Sequence, residues 1–276
     1  MGLVDAAAVI PERRLLLLSP HYDDVPLTWG GYLDAGRRGG ALGGKRVHIV
    51  NVFSRSVYQA RDHEGNRDTS LARQQYATGI RLMEDVTCLD ALLGAGQYGY
   101  ELKLERECVL RQKAWKPGEK FEFPQGNRET FDDEEWEIFA AIRGYAADWL
   151  EPGNTALLLP LCVKEHVDHV MLREAVLERR AEMGDAVRAR LYFGEDQPYA
   201  GLGSEEDWGT AREFVARMNL EPLDYAIDIE RKAELVMTSY PSQVEESYRE
   251  GMVARSRQLA ELNGVSGGVE RIWRAR

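Results

Sequence analysis

Cysteine is scarce in this chain, with three residues at 88, 108 and 162 and no CxxC pair among them. An odd number at that spacing supports neither a disulfide framework nor a zinc ribbon, so buried thiols are the expected state. Positive charge is also short: 35 Lys and Arg against 46 Asp and Glu leave a net charge of −11. That balance is wrong for a protein that grips phosphate backbones, and no nucleic acid partner is expected. Long apolar runs are absent as well. The early run LLLL at 15–18 falls far below the ~20 residues of a membrane span, and the stretch before it lacks the shape of a signal peptide. No membrane partner is expected, and cytoplasmic residence is the default. There is no internal repeat or low-complexity tract. No GxGxxG follows the first strand-like segment, and GGALGG at 39–44 precedes a strand, which argues against a dinucleotide-binding oxidoreductase.

What is present is ordinary globular material, 44% hydrophobic and 29% charged over 276 residues, enough for a single domain, 1–276, around one buried core. Strand-like apolar runs at 13–19, 46–54, 155–161, 189–194 and 223–229 alternate with helical periodicity at 27–37, 70–85, 132–150, 170–183 and 205–218. The first three runs are apolar at nearly every position, as parallel strands covered on both faces are. The alternation predicts an α/β, Rossmann-like, doubly wound and mostly parallel sheet with helices on both faces, and ligands at the carboxyl ends of its strands. Residues 94–131 are rich in aromatics and charge and broken by Gly and Pro; they read as an irregular insertion, either a lid or a surface excursion.

Two polar clusters follow apolar strands. HYDD at 21–24 closes the first, and HVDH at 166–169 follows TALLLPL. Each has a plain explanation: an aspartate capping a helix, or a solvated first helical turn. A cap uses one aspartate, however, not Asp23 and Asp24 together, and adjacent carboxylates repel unless a cation or a proton relieves them. His21 and Asp24 lie close enough to bind one ion. His166 and His169 share a helix face, with Asp168 available to orient an imidazole. Both clusters would face one crevice, and His–Asp–His around zinc with open positions is a catalytic arrangement.

SPHYDDVPLTWGG and HVDHVMLREA resemble the two signatures of the PIG-L/LmbE-like metal-dependent N-deacetylases. LARQQYATGIRLM, YFGEDQPYA and KAELVMTSYPSQV are similar to further family segments, so the resemblance touches scattered points over 13–250. It implies a Rossmann-like fold with Zn2+ held by His21, Asp24 and His169. It also implies that Asp23 is the general base, that His166 stabilises the oxyanion or protonates the departing amine, and that Asp168 orients His166. Arg73 matches the family arginine that would contact substrate. The implied activity is removal of an acetyl or other acyl group from an N-acylated, sugar-like small molecule, as in natural-product biosynthesis; Fe2+ or Mn2+ would also suit the ligands. Departures are Tyr22 for the usual Pro, Val25 after the acidic pair, Tyr76 where Glu is usual, and CVKE before HVDH. Gly30 and Gly31 are expected to serve helix packing. The alternative function is a metal-binding relative without catalysis, acting as a small-molecule binding protein; a receiver-like domain is disfavoured because TALLLPL leads to histidines. A homo-oligomer is compatible with the sequence.

Overall fold

The computed structural model describes residues 2–115 and 121–276. In chain order its main elements are α1 (Ala6–Val9), β1 (Arg14–Ser19), α2 (Asp24–Arg38), β2 (Arg46–Asn51), α3 (Leu71–Leu93), β3 (Tyr98–Leu102), α4 (Asp133–Leu150) and β4 (Thr155–Pro160). They continue with α5 (Val167–Met183), β5 (Arg190–Gly194), α6 (Tyr199–Leu202), α7 (Gly209–Arg217), β6 (Leu220–Ile227), α8 (Ile229–Ser239), α9 (Glu246–Asn263) and β7 (Gly268–Ala275). The strands form one sheet in the order β3-β2-β1-β4-β5-β7-β6. The first five are mutually parallel, whereas β7 runs antiparallel to both β5 and β6. The expected α/β, mostly parallel sheet is therefore what forms.

The apolar runs split by strand periodicity. Leu15 and Leu17 of β1, with Ala156 and Leu158 of β4, join a core under α2, α3, α8 and α9. Leu18, Leu157 and Leu159 join a second core under α4, α5 and α7 on the other face. Every residue of β4 is buried because it lies between β1 and β5 with helices above and below. Of the two adjacent glycines expected to serve packing, Gly31 does so, whereas a Cβ on Gly30 would make ordinary contact with Lys232 at 3.6 Å. A Cβ on Gly31 would lie 2.5 Å from Glu270 Oε2, and that carboxylate pairs with Lys232, whose Nζ also donates to Leu27 O at 2.5 Å. Helix α2 is thus pinned to β7 and α8.

Two strands were not anticipated. β3 falls inside the stretch read as irregular, 94–131, and β7 in a C-terminal stretch left unassigned. Residues 116–120 of the expected insertion or lid lie outside the described residues. Among the described residues no helix is long and apolar enough to cross a membrane.

The order 3-2-1-4-5 makes the chain reverse its winding between β1 and β4, and a crevice opens at that switch point beyond the strand ends. β1, β4 and β5 all end there, at Ser19, Pro160 and Gly194. Because β4 is the buried centre of this frame, Leu158→Ala should lower unfolding free energy by about 2–5 kcal/mol. Chemical denaturation will check this, with a loss under about 1 kcal/mol contradicting the account.

Candidate active site

Beyond β1 the backbone turns sharply: Ser19 Oγ donates to His21 O at 2.5 Å, and His21 N donates to Asp24 Oδ2 at 2.7 Å. Asp23 stands at the N-cap of α2, but its side chain accepts no capping hydrogen bond. The capping explanation therefore fails for both aspartates. Beyond β4, the residues Cys162, Lys164 and Glu165 adopt left-handed backbone. Such strain in non-glycine residues costs of order 1–3 kcal/mol each and persists where surroundings impose it. Here the turn delivers His166 to the start of α5 and carries His169 round on its first turn.

The two motifs meet. Asp24 Oδ2 lies 3.2 Å from His21 Nδ1 and 3.4 Å from His169 Nε2. Each of these imidazoles is fixed from behind by another carboxylate. His21 Nε2 pairs with Asp168 Oδ2 at 2.8 Å, and His169 Nδ1 with Asp196 Oδ1 at 2.6 Å. Asp196 also accepts from Val163 N at 3.1 Å, which ties it to the strained turn. Asp168 accepts from Cys108 N at 2.8 Å and from Arg111 Nη2 at 2.7 Å.

His21, Asp24 and His169 thus offer two nitrogens and one oxygen toward a common point, with their ligand atoms within 4.8 Å of one another. Carboxylates behind both imidazoles fix ring orientation and raise ligand basicity, as outer partners of metal-bound histidines do. The donor set fits a divalent cation such as zinc, iron or manganese. The field has the same sense. Burial alone would lower the His21 pKa, but Asp168 and Asp24 push it up to about 9. Burial opposes His169 likewise, yet Asp24 and Asp196 raise it well above the usual histidine value. Burial would raise Asp24, but His169 and His21 hold it well below the carboxylate range. A pocket that holds protons on two imidazoles this firmly has the charge to hold a cation in their place.

Asp23 differs. Burial, and then the Asp24 charge, push it up to about 6 against the pull of Arg81 and His21. Its nearest cation is Arg81, 3.6 Å from Oδ1. The Arg81 guanidinium is itself buried, bonded to Glu107, to Ser56 Oγ at 2.7 Å and to Gln243 at 2.6 Å. His166 lies edge-on to His21 at 4.9 Å between ring centroids. Burial, then the neighbouring His169 and His21, pull its pKa well below the usual value, so its resting imidazole is neutral.

Two expectations are corrected by geometry. Asp168 does not orient His166; it binds His21, and His166 Nδ1 has no partner among the described residues. Arg73 does not line the cavity. Its guanidinium bonds Val57 O, Asp62 and Asn66, clamping the loop before α3. The arginine that lines the cavity is Arg81, two helical turns further on. Sequence reasoning also missed Asp196, inside the quoted YFGEDQPYA segment, and Cys108 and Arg111, inside the stretch read as irregular. The cavity over the site is walled by Tyr58, Phe121, Phe123, Tyr199 and Tyr248.

No protein-family model matches the chain. Among curated proteins, a 2'-N-acetylparomamine deacetylase of Streptomyces fradiae is 28% identical over 200 residues, which cover 68% of this chain and 58% of that protein. Among solved structures, the zinc-inhibited form of teicoplanin deacetylase Orf2 superposes with a TM-score of 0.59 at 18% identity over 95% of this chain and 97% of that one. The N,N'-diacetylchitobiose deacetylase of Pyrococcus horikoshii gives 0.52 at 14% over 94% and 84%. The fold is shared with metabolite deacetylases. The resemblance carried by HYDD and HVDH is borne out by the deacetylases among these relatives and neighbours.

The Asp196–His169 bond predicts that Asp196→Ala weakens metal affinity by about 10- to 100-fold. Competition with a chromophoric chelator measures this, and unchanged affinity would remove Asp196 from the site.

Proposed function

We propose that the chain is a zinc-type, metal-dependent N-deacetylase that releases acetate from an N-acetylated amino sugar or related small metabolite. One observation carries this reading: two imidazoles, each fixed by its own carboxylate, converge on Asp24 while Asp23 stands beside them, free of any cap. The three relatives named above are deacetylases, and two are named for an N-acetylated compound. The cavity over these groups measures about 120 Å³.

His21 Nδ1, Asp24 Oδ2 and His169 Nε2 would hold the ion. When bound, it supplies Lewis acidity, polarising an amide carbonyl and making water acidic near neutrality. The protein's own groups do the rest. Asp23, raised to about 6, is ionised near neutral pH and still basic enough to accept a proton from the attacking water on its carboxylate. That proton is the one the departing amine requires. Arg81 lies 3.6 Å from Asp23 Oδ1 and steadies its charge. His166, neutral at rest and unpartnered at Nδ1, donates an N–H to the charge growing on the acyl oxygen; loss of one such donor typically costs on the order of 100- to 1000-fold. Asp168 acts through His21 rather than on substrate, and Arg73 acts through the loop it clamps.

A panel of N-acetylated amino sugars assayed for acetate, with metal content measured in parallel, tests the assignment. Asp23→Asn should keep its metal and lose about 100- to 10,000-fold in kcat, whereas His169→Ala should lose metal. Full turnover in either variant refutes these roles, and bound metal with no hydrolysis across the panel favours the binding-protein reading.

A further inference from the structure

Asp196 fixes His169; the next residue, Gln197, faces the cavity itself, on a wall it shares with Tyr199 and Tyr248. Gln197 is only 8% exposed, and its Oε1 has no hydrogen-bond partner among the described residues. A buried carboxamide left unpaired costs free energy and is uncommon. The groups behind it do not claim it. Lys232 and Arg255 border a small void on its far side, but Arg255 is held by Glu195 at 2.6 and 2.7 Å and Lys232 by Glu270 and Leu27 O. The backbone on either side is fixed. Asp196 is anchored to His169 and the Val163 amide, and α9 packs so closely on the following proline that a Cβ on Gly251 would lie 2.5 Å from Pro198 O. A rigid frame therefore presents this amide to the cavity, as it would a binding group.

We propose that Gln197 is a specificity-determining residue that reads a hydroxyl group carried by the substrate next to the acyl amide. A carboxamide offers N–H donors at one end and an acceptor at the other, and a half-turn about its terminal bond exchanges the two. A hydroxyl, which both gives and accepts, can pair with either end. A phosphate or carboxylate accepts only, and brings negative charge toward Asp23 and Asp24 on the same lining. Burial pushes the Tyr199 and Tyr248 phenols well above their usual values, so this wall stays neutral and adds no cation to hold an anion. A site built to pair with a hydroxyl discriminates against the analogue that lacks it, because the protein's own group is then left unpaired. The assignment deepens the deacetylase reading and rests on it for the bond that is cleaved.

N-acetylglucosamine and N-cyclohexylacetamide carry the same acetamide on rings of equal size, one with hydroxyls and one without. In the wild type, kcat/KM should favour the sugar by at least about tenfold. Gln197→Met keeps the length of the side chain and loses both polar ends. Its preference should fall by a similar factor, through a raised KM for the sugar, while turnover of the cyclohexyl amide reports a folded site. No preference in the wild type, or one that Gln197→Met retains, overturns the assignment. Calorimetric binding of the same two compounds to zinc-loaded protein gives the comparison without turnover. A sugar preference lost in Gln197→Met, with hydrolysis of neither compound, keeps the role of Gln197 and overturns the deacetylase reading; binding of neither compound overturns both.

Discussion

The site depends on two carboxylate–imidazole bonds, His21 to Asp168 and His169 to Asp196. Each takes one ring nitrogen out of play and aims the other at Asp24. A free imidazole rotates about two side-chain bonds, and fixing both rings in advance removes that freedom before any ligand arrives. The carboxylates are themselves held by groups from other segments: Arg111 and the Cys108 amide on Asp168, and the Val163 amide on Asp196. Ring orientation therefore reports the packing of β1, β4 and β5 together. These three strands lie side by side in the sheet and end on the same rim, so the histidines and their fixing groups come from one rigid frame and not from independent loops.

Much of this was legible in the chain. Central parallel strands are buried on both faces, so LLLL and TALLLPL identified themselves by lacking polar alternation. The polar clusters immediately after them then had to lie at the strand ends, and the structure does bring residues 21–24 and 166–169 together. What could not be read was anything depending on which turn of a helix faces inward or which partner a carboxylate takes. Arg73 and Arg81 lie eight residues apart on α3, and only tertiary packing decides that the second lines the cavity. Asp168 sits between His166 and His169, equally able to serve either in sequence terms, yet its Oδ2 pairs with His21 from the other motif. Strand β7 was hidden because its charged residues are paired, Glu270 with Lys232 and Arg271 with Asp224 inside the fold and Arg274 with Glu221 nearer the surface. In sequence those charges look like solvent-facing loop.

Electrostatics divides the acidic pair by environment. Asp23 and Asp24 are neighbours with identical side chains, yet one is drawn down by two imidazoles and the other is pushed up to about 6 by burial and by the first. Separate roles for chemically identical residues require such a split. It arises because Asp24 turns toward the histidines while Asp23 turns toward Arg81, which is already engaged with Glu107 and so offsets the Asp23 burial only in part.

The stretch from β3 to α4 has two ends with different obligations. Cys108 and Arg111 are bolted to the Asp168 carboxylate at the base of the crevice, whereas Phe121 and Phe123 form part of its wall. A change confined to the wall would leave these bolts in place. A graft that cuts upstream of Arg111 would instead loosen a histidine on the opposite strand. Diversification of specificity in such a scaffold has a natural splice point, set by where the segment stops bearing on the floor.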